Sequence, residues 1–159
     1  MATITSLLLP ATGNTNRGRM PYQVELSIDL TAQAIDCSSP DTVQCITLPA
    51  NTHILHAGVQ VVESATMDTG TNATVTLGAA DVDEYVTAFD IDGASDLAYA
   101  PSVTPSAEVV LATADTLDLT FAGDGATFSA GSLRVYALLM DVSEQGSTSA
   151  SDVDRDYLA

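Results

Sequence analysis

The chain has no lysine and no tryptophan, and its 159 residues include four basic side chains, two histidines and two cysteines. The four basic residues are all arginines: Arg17, Arg19, Arg134 and Arg155. Proteins that neutralise the phosphates of nucleic acid need clustered Lys or Arg, and so do proteins that dock on anionic membranes. We therefore predict that the protein has no nucleic-acid partner and no membrane partner.

Long apolar runs are also missing. Residues 4–10 (ITSLLLP) are mostly apolar, but no basic residue precedes them. No segment approaches the roughly 20 apolar residues of a membrane-spanning helix. We expect a soluble, unprocessed protein, and its 46% hydrophobic residues can build the core of one domain.

The few cysteines and histidines offer little chemistry. Cys37 and Cys45 are eight positions apart, so they could close a small disulfide loop or remain thiols. We favour thiols because nothing indicates export, and two cysteines without neighbouring histidines make a poor zinc site. His53 and His56 are three apart in a predicted strand, so they would point to opposite faces unless a bulge intervenes. We therefore expect structural rather than catalytic histidines.

Acidic residues dominate what is present. The chain has 21 of them and a formal charge of −17. Aspartate outnumbers glutamate sixteen to five. Such a surface is well suited to concentrated salt, which screens its self-repulsion at about 1 M. The sequence indicates a halophilic source, and an ordinary acidic phage or secreted protein is the alternative.

Charge divides the chain into three predicted segments. Residues 1–20 contain Arg17 and Arg19 and no acid, which suggests an extended N-terminal arm. Residues 21–142 hold the patterned body. Residues 143–159 are rich in Ser, Gly and Asp, which predicts a flexible acidic C-terminal tail.

The body has a hydrophobic period of two. In residues 23–30 apolar side chains alternate strictly with polar ones, as in a strand buried on one face. Residues 132–142 are apolar on both faces, which indicates a central strand or one that packs on a partner. The predicted strands cover residues 23–30, 43–48, 54–63, 73–78, 85–89, 108–113, 116–121 and 132–142. Short strands separated by Gly, Pro and Asn turns predict an all-β sandwich with no solenoid repeat.

Paired aspartates are the candidates for a metal site. Asp81 and Asp83, like Asp90 and Asp92, are two apart and would point the same way on an extended chain. Each pair could hold Ca²⁺, although the residues after Asp92 do not follow an EF-hand loop. A solvated acidic loop is the alternative interpretation. Calcium is the one cofactor to consider, and a calcium-dependent hydrolase acting through Asp81 and Asp83 is a third functional hypothesis.

Part of the body resembles small structural proteins of tailed-virus heads. The similar runs are 46–52 (ITLPANT), 57–62 (AGVQVV), 73–78 (ATVTLG), 81–86 (DVDEYV), 114–120 (ADTLDLT) and 131–142 (GSLRVYALLMDV). The resemblance as a whole covers about residues 43–142, and these runs contain no catalytic signature. The resemblance implies a capsid decoration or cement protein: a jelly-roll module, often trimeric, on the outer surface of the capsid over junctions between major capsid subunits.

We therefore expect a non-enzymatic virion protein that bridges major capsid protein subunits, with Arg17 and Arg19 as capsid contacts. A halophilic or marine virus fits the composition. The alternative is a tail, fibre or vertex-turret module that binds a host glycan or receptor. Its sugar-stacking residues would be Tyr85 or Tyr99, although only 5% of the residues are aromatic.

Overall fold

A computed structural model of the chain describes residues 3–4, 9–10, 21–101, 109–125 and 127–142. In these ranges the regular structure is ten β-strands and one turn of 3-10 helix, Leu30–Ala32. The strands are β1 (Thr3–Ile4), β2 (Leu9–Pro10), β3 (Tyr22–Asp29), β4 (Thr42–Leu48), β5 (Thr52–Met67), β6 (Ala73–Gly78), β7 (Val86–Asp90), β8 (Val109–Leu111), β9 (Asp115–Gly123) and β10 (Phe128–Asp141). None of the described residues belongs to a helix long and apolar enough to cross a membrane.

The strands form two sheets. Sheet I has the order β1-β4-β9-β6-β7, and β2 also pairs with β4. Sheet II has the order β3-β10-β5-β8. All pairings are antiparallel except those of the two-residue strands β1 and β2, which run parallel to β4.

Strands β3 to β10 have the connectivity of a jelly roll. Following the chain, β3 lies in sheet II, β4 in sheet I and β5 in sheet II, and the alternation returns after the β6–β7 hairpin. Two four-stranded sheets result, β3-β10-β5-β8 facing β4-β9-β6-β7, which is the arrangement of a double-sheet jelly roll. The predicted all-β, jelly-roll sandwich is confirmed.

The core lies between the sheets and follows the predicted alternation. On β10 the side chains of Leu133, Val135, Ala137 and Leu139 are fully buried, and this strand is central, between β3 and β5. On β9, Leu117, Leu119 and Phe121 are fully buried, as predicted. Strict period-two patterning places one set of side chains in the core because neighbouring residues of a strand point to opposite faces.

Some strand boundaries differ from the prediction. Strand β5 runs from residue 52 to 67 instead of 54 to 63, and β8 covers three residues instead of six. The longer β5 contains bulges, where the register against β10 shifts, and a bulge breaks the alternation that marks a strand in sequence.

The structure describes few residues of the predicted N-terminal arm and none of the predicted C-terminal tail. Of residues 1–20, the described ones are those of β1 and β2, which pair with β4. Arg17, Arg19 and the whole of residues 143–159 lie outside the described residues. The three-segment division therefore stays a prediction.

Aspartate side chains accept backbone hydrogen bonds that hold the loops of the sandwich in place. The Asp124 carboxylate accepts hydrogen bonds from the Thr71 and Asn72 backbone N–H groups, both at 2.9 Å. Six further aspartates accept a bond from a nearby loop or strand N–H in the same way: Asp29, Asp36, Asp41, Asp90, Asp92 and Asp96. The short aspartate side chain suits such bonds, so loop geometry explains part of the excess of Asp over Glu.

Candidate binding face

The outer face of sheet II carries several large exposed side chains, among them Tyr99, Val110 and Leu138. The antiparallel register places its residues in rows, because directly paired residues share a face. One row holds Val110, His53 and Met140; the next holds His56, Leu138 and Gln23; the third holds Gly58, Tyr136 and Glu25; and the fourth holds Tyr99, Gln60, Arg134 and Ser27. This set of rows is called the sheet II face below.

A glycine makes room for the aromatic centre of this face. Gly58 lies directly opposite Tyr136, and a Cβ atom at Gly58 would come within 2.5 Å of the Tyr136 hydroxyl. The tyrosine ring therefore lies over the glycine, an arrangement that shields the exposed backbone of a glycine in a strand. Tyr136 Oη is 3.4 Å from His56 Nε2, and the Tyr99 ring meets the Tyr136 ring edge-on at 6.1 Å. Burial raises the pKa of Tyr136 above its ordinary value.

The segment that carries Tyr99 is held against the edge of β5. The Val61 N–H donates to the Ala98 carbonyl at 2.8 Å, and the Ala100 N–H donates to the Val59 carbonyl at 2.9 Å. These bonds fix Tyr99 beside Gln60, although 60% of the Tyr99 side chain remains exposed. An exposed aromatic ring on a fixed backbone loses little conformational entropy when it packs against a partner.

Arg134 lies between Ser27 and Gln60 in the fourth row. It is the one arginine among the described residues of a chain that has no lysine. Its Nε atom is buried and has no hydrogen-bond partner. A buried donor of a charged group that lacks a partner costs free energy. Because this Nε is shielded from solvent, an acceptor from outside the chain would bond to the terminal Nη groups of the guanidinium.

These side chains enclose an open hollow of about 290 Å³, the Arg134 hollow. It is lined by Gln23, Glu25, His56, Gln60, Tyr99, Arg134, Tyr136 and Leu138. The volume is close to the lower end, about 300 Å³, of typical small-molecule pockets. It is therefore large enough for one side chain or one small ring.

Sheet II carries three exposed apolar side chains besides Tyr99, and one of them, Leu138, lines the Arg134 hollow. Leu55 is 40% exposed, Leu138 36% and Val110 50%, and all three belong to strands of sheet II. Single exposed apolar residues are ordinary, but a group next to tyrosines and an arginine has the composition of a protein interface. The arrangement can bury apolar area and form a charge-assisted hydrogen bond within one patch.

The outer face of sheet I, the sheet I face, has a different chemistry. It carries mainly threonines whose hydroxyls bond to one another or to the backbone. Thr42 Oγ1 lies 3.0 Å from Thr120 Oγ1, Gln44 Nε2 donates to Thr116 Oγ1 at 3.1 Å, and Thr74 Oγ1 donates to the Ala122 carbonyl at 3.1 Å. Asp118 is the exception, because its Oδ1 is buried without a hydrogen-bond partner and burial raises its pKa.

The two histidines lie on the same face, because the bulge that their spacing left open as an exception is present. His56 pairs with Leu138 while Ile54 pairs with Leu139, so Leu55 is an extra residue on β5. The extra residue reverses the alternation beyond it. His53 and His56 consequently both lie on the sheet II face, where His56 contacts Tyr136.

Tyr85, one of the two tyrosines considered for sugar stacking, lies in the core. It is 1% exposed, its hydroxyl is buried without a hydrogen-bond partner, and burial raises its pKa. A ring in this position cannot stack on a ligand from solvent. Tyr99 keeps the exposure that stacking needs, and Tyr136 adjoins it.

The four predicted metal ligands do not converge. Asp90 and Asp92 are neighbours, but Asp90 Oδ1 accepts from the Gly93 N–H at 2.7 Å and Asp92 Oδ1 accepts from the Ala73 N–H at 2.8 Å. The Gly93 bond lowers the pKa of Asp90, whereas burial raises the pKa of Asp92. Asp81 accepts from the adjacent Val82 N–H, and Asp83 stands apart from the Asp90 pair.

Within the part of the chain that the structure describes, no three His, Cys, Asp or Glu side chains are grouped so that they could hold a metal ion. The Asp90 and Asp92 carboxylates remain the pair best placed for calcium, which stays a prediction.

The two cysteines are free and buried. Burial raises the pKa of Cys37 to about 11 and that of Cys45 to about 12. The Cys45 thiol donates to the Val43 carbonyl at 3.3 Å. Both side chains behave as small core residues, because a thiol with so high a pKa is a poor nucleophile at neutral pH.

Sequence reasoning missed Arg134 as a site residue. One signal was present. The outward residues of the last strand, Tyr136, Leu138 and Met140, are apolar, and this indicated either a central strand or a strand that packs on a partner. Nothing local connected Arg134 with Tyr99, because 35 residues separate them and the pairing of Tyr99 with Gln60 brings them together.

Solved structures share this architecture. A chain in the structure of the cyanophage Pam1 capsid asymmetric unit is 22% identical, and the match covers 82% of this chain and 91% of that chain with a TM-score of 0.58. A chain in the structure of the capsid of Ralstonia phage GP4 is 15% identical, with 84% and 97% coverage and a TM-score of 0.59. No protein-family model and no curated protein matches the sequence. At these identities the similarity establishes a shared fold.

Proposed function

We propose that the protein is a non-enzymatic structural component of a tailed-virus virion that binds the outer surface of the capsid. The observation that carries this proposal is the jelly roll shared, over more than four-fifths of the chain, with chains in two phage capsid structures. The jelly roll also occurs in lectin domains, so the fold needs support from the surface. The sheet II face supplies it, because its tyrosines, leucines and arginine are the residue types that anchor protein interfaces.

In this proposal the protein acts as a decoration or cement protein that bridges neighbouring major capsid subunits. Burial of apolar side chains across a subunit junction links the subunits, and the bound state stabilises both partners by mass action. A specific interface of this kind needs about 1,000 Å² of buried surface. Arg17 and Arg19 remain the predicted capsid contacts of the N-terminal arm.

The test is binding to capsids of the virus that encodes the chain, stripped of this protein. We expect the purified protein to co-sediment with the capsids, to saturate at a fixed number of copies per capsid and to raise the temperature at which they open. Protein lacking residues 1–20 should reach lower occupancy. A protein that stays in the supernatant at saturating concentration would overturn the proposal.

A homotrimer adapted to concentrated salt is the proposed form in solution. The charge of −17 opposes association at low salt, because the Debye length grows from about 3 Å at 1 M to about 30 Å at 0.01 M. Light scattering in 0.05 M and 3 M KCl should show the trimer mass at high salt and a smaller mass at low salt. A monomer at both concentrations would contradict the trimer, and a trimer at both would contradict the salt adaptation.

A glycan-binding module is the second candidate. The exposed Tyr99 ring beside Tyr136 favours it, since sugars stack on such surfaces. Adsorption to host cells that is lost in Tyr99→Ala, without binding to capsids, would replace the first proposal by this one.

A further inference from the structure

The feature that calls for a partner is Arg134. It is the single cationic side chain of the Lys or Arg type in the described residues, its Nε is buried without a hydrogen-bond partner, and it forms no ion pair with a described residue. The guanidinium thus keeps donors available in a hollow with tyrosine walls. A carboxylate is the acceptor that matches a guanidinium best, through two parallel N–H···O bonds.

We propose that the Arg134 hollow receives the carboxylate of an aspartate or glutamate side chain from the protein on which this chain docks. The proposal rests on the proposed function and names the contact that would orient the protein on the capsid. The carboxylate would bond to Arg134, and its aliphatic stem would pack between Tyr99 and Leu138. The volume of about 290 Å³ admits one such side chain.

The surroundings of the hollow favour a protein partner over an acidic sugar. Besides Leu138 in the hollow, sheet II exposes the apolar side chains of Leu55 and Val110 outside it, and a sugar ring in the hollow would leave these exposed. Tyrosine and arginine in a partly closed pocket, ringed by such residues, match the anchor points of protein interfaces.

Glu25 lines the same hollow, and its negative charge allows a second test in which the expected change in binding has the opposite direction. It lies opposite Tyr136, in the row next to Arg134. Its carboxylate would repel an incoming carboxylate, so Glu25→Gln should strengthen binding while Arg134→Gln weakens it. If the hollow had only a structural role, the two variants would not change binding in opposite directions.

The first experiment measures the affinity of each variant for stripped capsids at one ionic strength. We expect Arg134→Gln to lose about tenfold or more, because it removes one partner of a desolvated charge pair. Thr76→Asp makes the same change in net charge on the sheet I face and should change the affinity by less than about threefold. Arg134→Gln should melt at or slightly above the wild-type temperature, because no partner within the described fold is lost and a buried donor without a partner is removed.

The second experiment needs no capsid. The probes are N-acetyl-glutamate methylamide and its glutamine counterpart, added at constant ionic strength to ¹⁵N-labelled protein. We expect the glutamate probe alone to shift the Arg134 Nε–H resonance. Such a shift in a protein that fails to bind capsids would preserve the carboxylate site and overturn the proposed function.

Two results would overturn the inference while leaving the proposed function intact. One is an Arg134→Gln variant that binds capsids as tightly as the wild type does. The other is an equal response of the Arg134 resonance to both probes. If Arg134→Gln instead reduces the oligomer mass in solution at unchanged capsid affinity, the carboxylate comes from a second copy of the chain and the capsid assignment is wrong.

Discussion

The two outer faces of the sandwich differ although the strands that form them alternate in the same way. On the sheet I face, short threonine side chains bond to one another across the strands, as in the Thr42 and Thr120 pair. On the sheet II face, Tyr99, Leu138 and Arg134 project large groups, and the Arg134 Nε is left without a partner. Apart from Asp118 Oδ1, the sheet I face satisfies its own polar groups, whereas the sheet II face holds a guanidinium for which the described chain supplies no acceptor.

The comparison teaches that exposure alone does not identify a binding face. Four threonine hydroxyls of the sheet I face already have partners, so covering them with another protein would release little free energy; they are those of Thr42, Thr74, Thr116 and Thr120. Covering the sheet II face would bury apolar area and give Arg134 an acceptor. The three predictions below test this contrast, beginning with the largest effect.

The largest effect is expected from placing a new charge on each face in turn. Leu138→Asp should weaken capsid binding by about 100-fold, because the variant loses the apolar contact of Leu138 and adds to the hollow a carboxylate that repels the incoming one. Thr76→Asp adds the same charge to the sheet I face and should change binding by less than about threefold. Capsid affinity measured by co-sedimentation checks both variants. Equal losses would show that the two faces do not differ in function.

A smaller effect is expected from adding one methyl group beneath Tyr136. Gly58→Ala should lower the free energy of unfolding by about 1–2 kcal/mol, because the new Cβ forces the ring away from its place over residue 58. Urea denaturation followed by circular dichroism measures the change.

The control for this variant is a double-mutant cycle with Tyr136→Ala. Without the ring, Gly58→Ala should become neutral or stabilising, because alanine loses less backbone entropy than glycine in a strand. An unchanged cost in the double variant would show that the ring is not the obstacle.

The smallest effect concerns Asp118, the unsatisfied group of the sheet I face. Burial raises its pKa above 3.8, so the folded state binds its proton more tightly than the unfolded state does. Its charged form therefore lowers stability as the pH rises through the folded pKa. Asp118→Asn should raise the Tm at pH 7 by about 1–2 °C, a value discounted for partial exposure, and the gain should vanish below pH 3.8.

Asp124→Asn is the matched control, and its expected change in Tm at pH 7 has the opposite sign. Backbone N–H bonds from Thr71 and Asn72 lower the pKa of Asp124, so its charge stabilises the fold above pH 3.8 and this contribution is lost as the pH falls through the folded pKa. The variant should lower the Tm at pH 7 and approach the wild type in acid. Thermal melts between pH 2.5 and 7 check both variants. If each variant differed in Tm from the wild type by the same amount at every pH, the assigned directions of the two pKa shifts would be wrong.

Much of the fold could be predicted because its signal is local. The alternation in β3, β9 and β10 identified these strands and the faces that enter the core. The site was harder to predict. The bulge at Leu55 reversed the direction of His56, and the burial of Tyr85 in the core removed one candidate for stacking. Neither effect has a sequence signature of its own, since both depend on how a strand meets its neighbours.

The sequence by itself determined that the chain is an all-β sandwich, which side chains of its regular strands form the core, and that the surface is strongly acidic. Period-two patterning and composition are properties of neighbouring residues and need no knowledge of the fold. Only the tertiary structure decided the jelly-roll strand order, the place of Tyr136 over Gly58 and the meeting of Tyr99 with Arg134. These depend on hydrogen-bond register between residues far apart in the chain, and the free energy that selects one register is that of the whole packed sandwich.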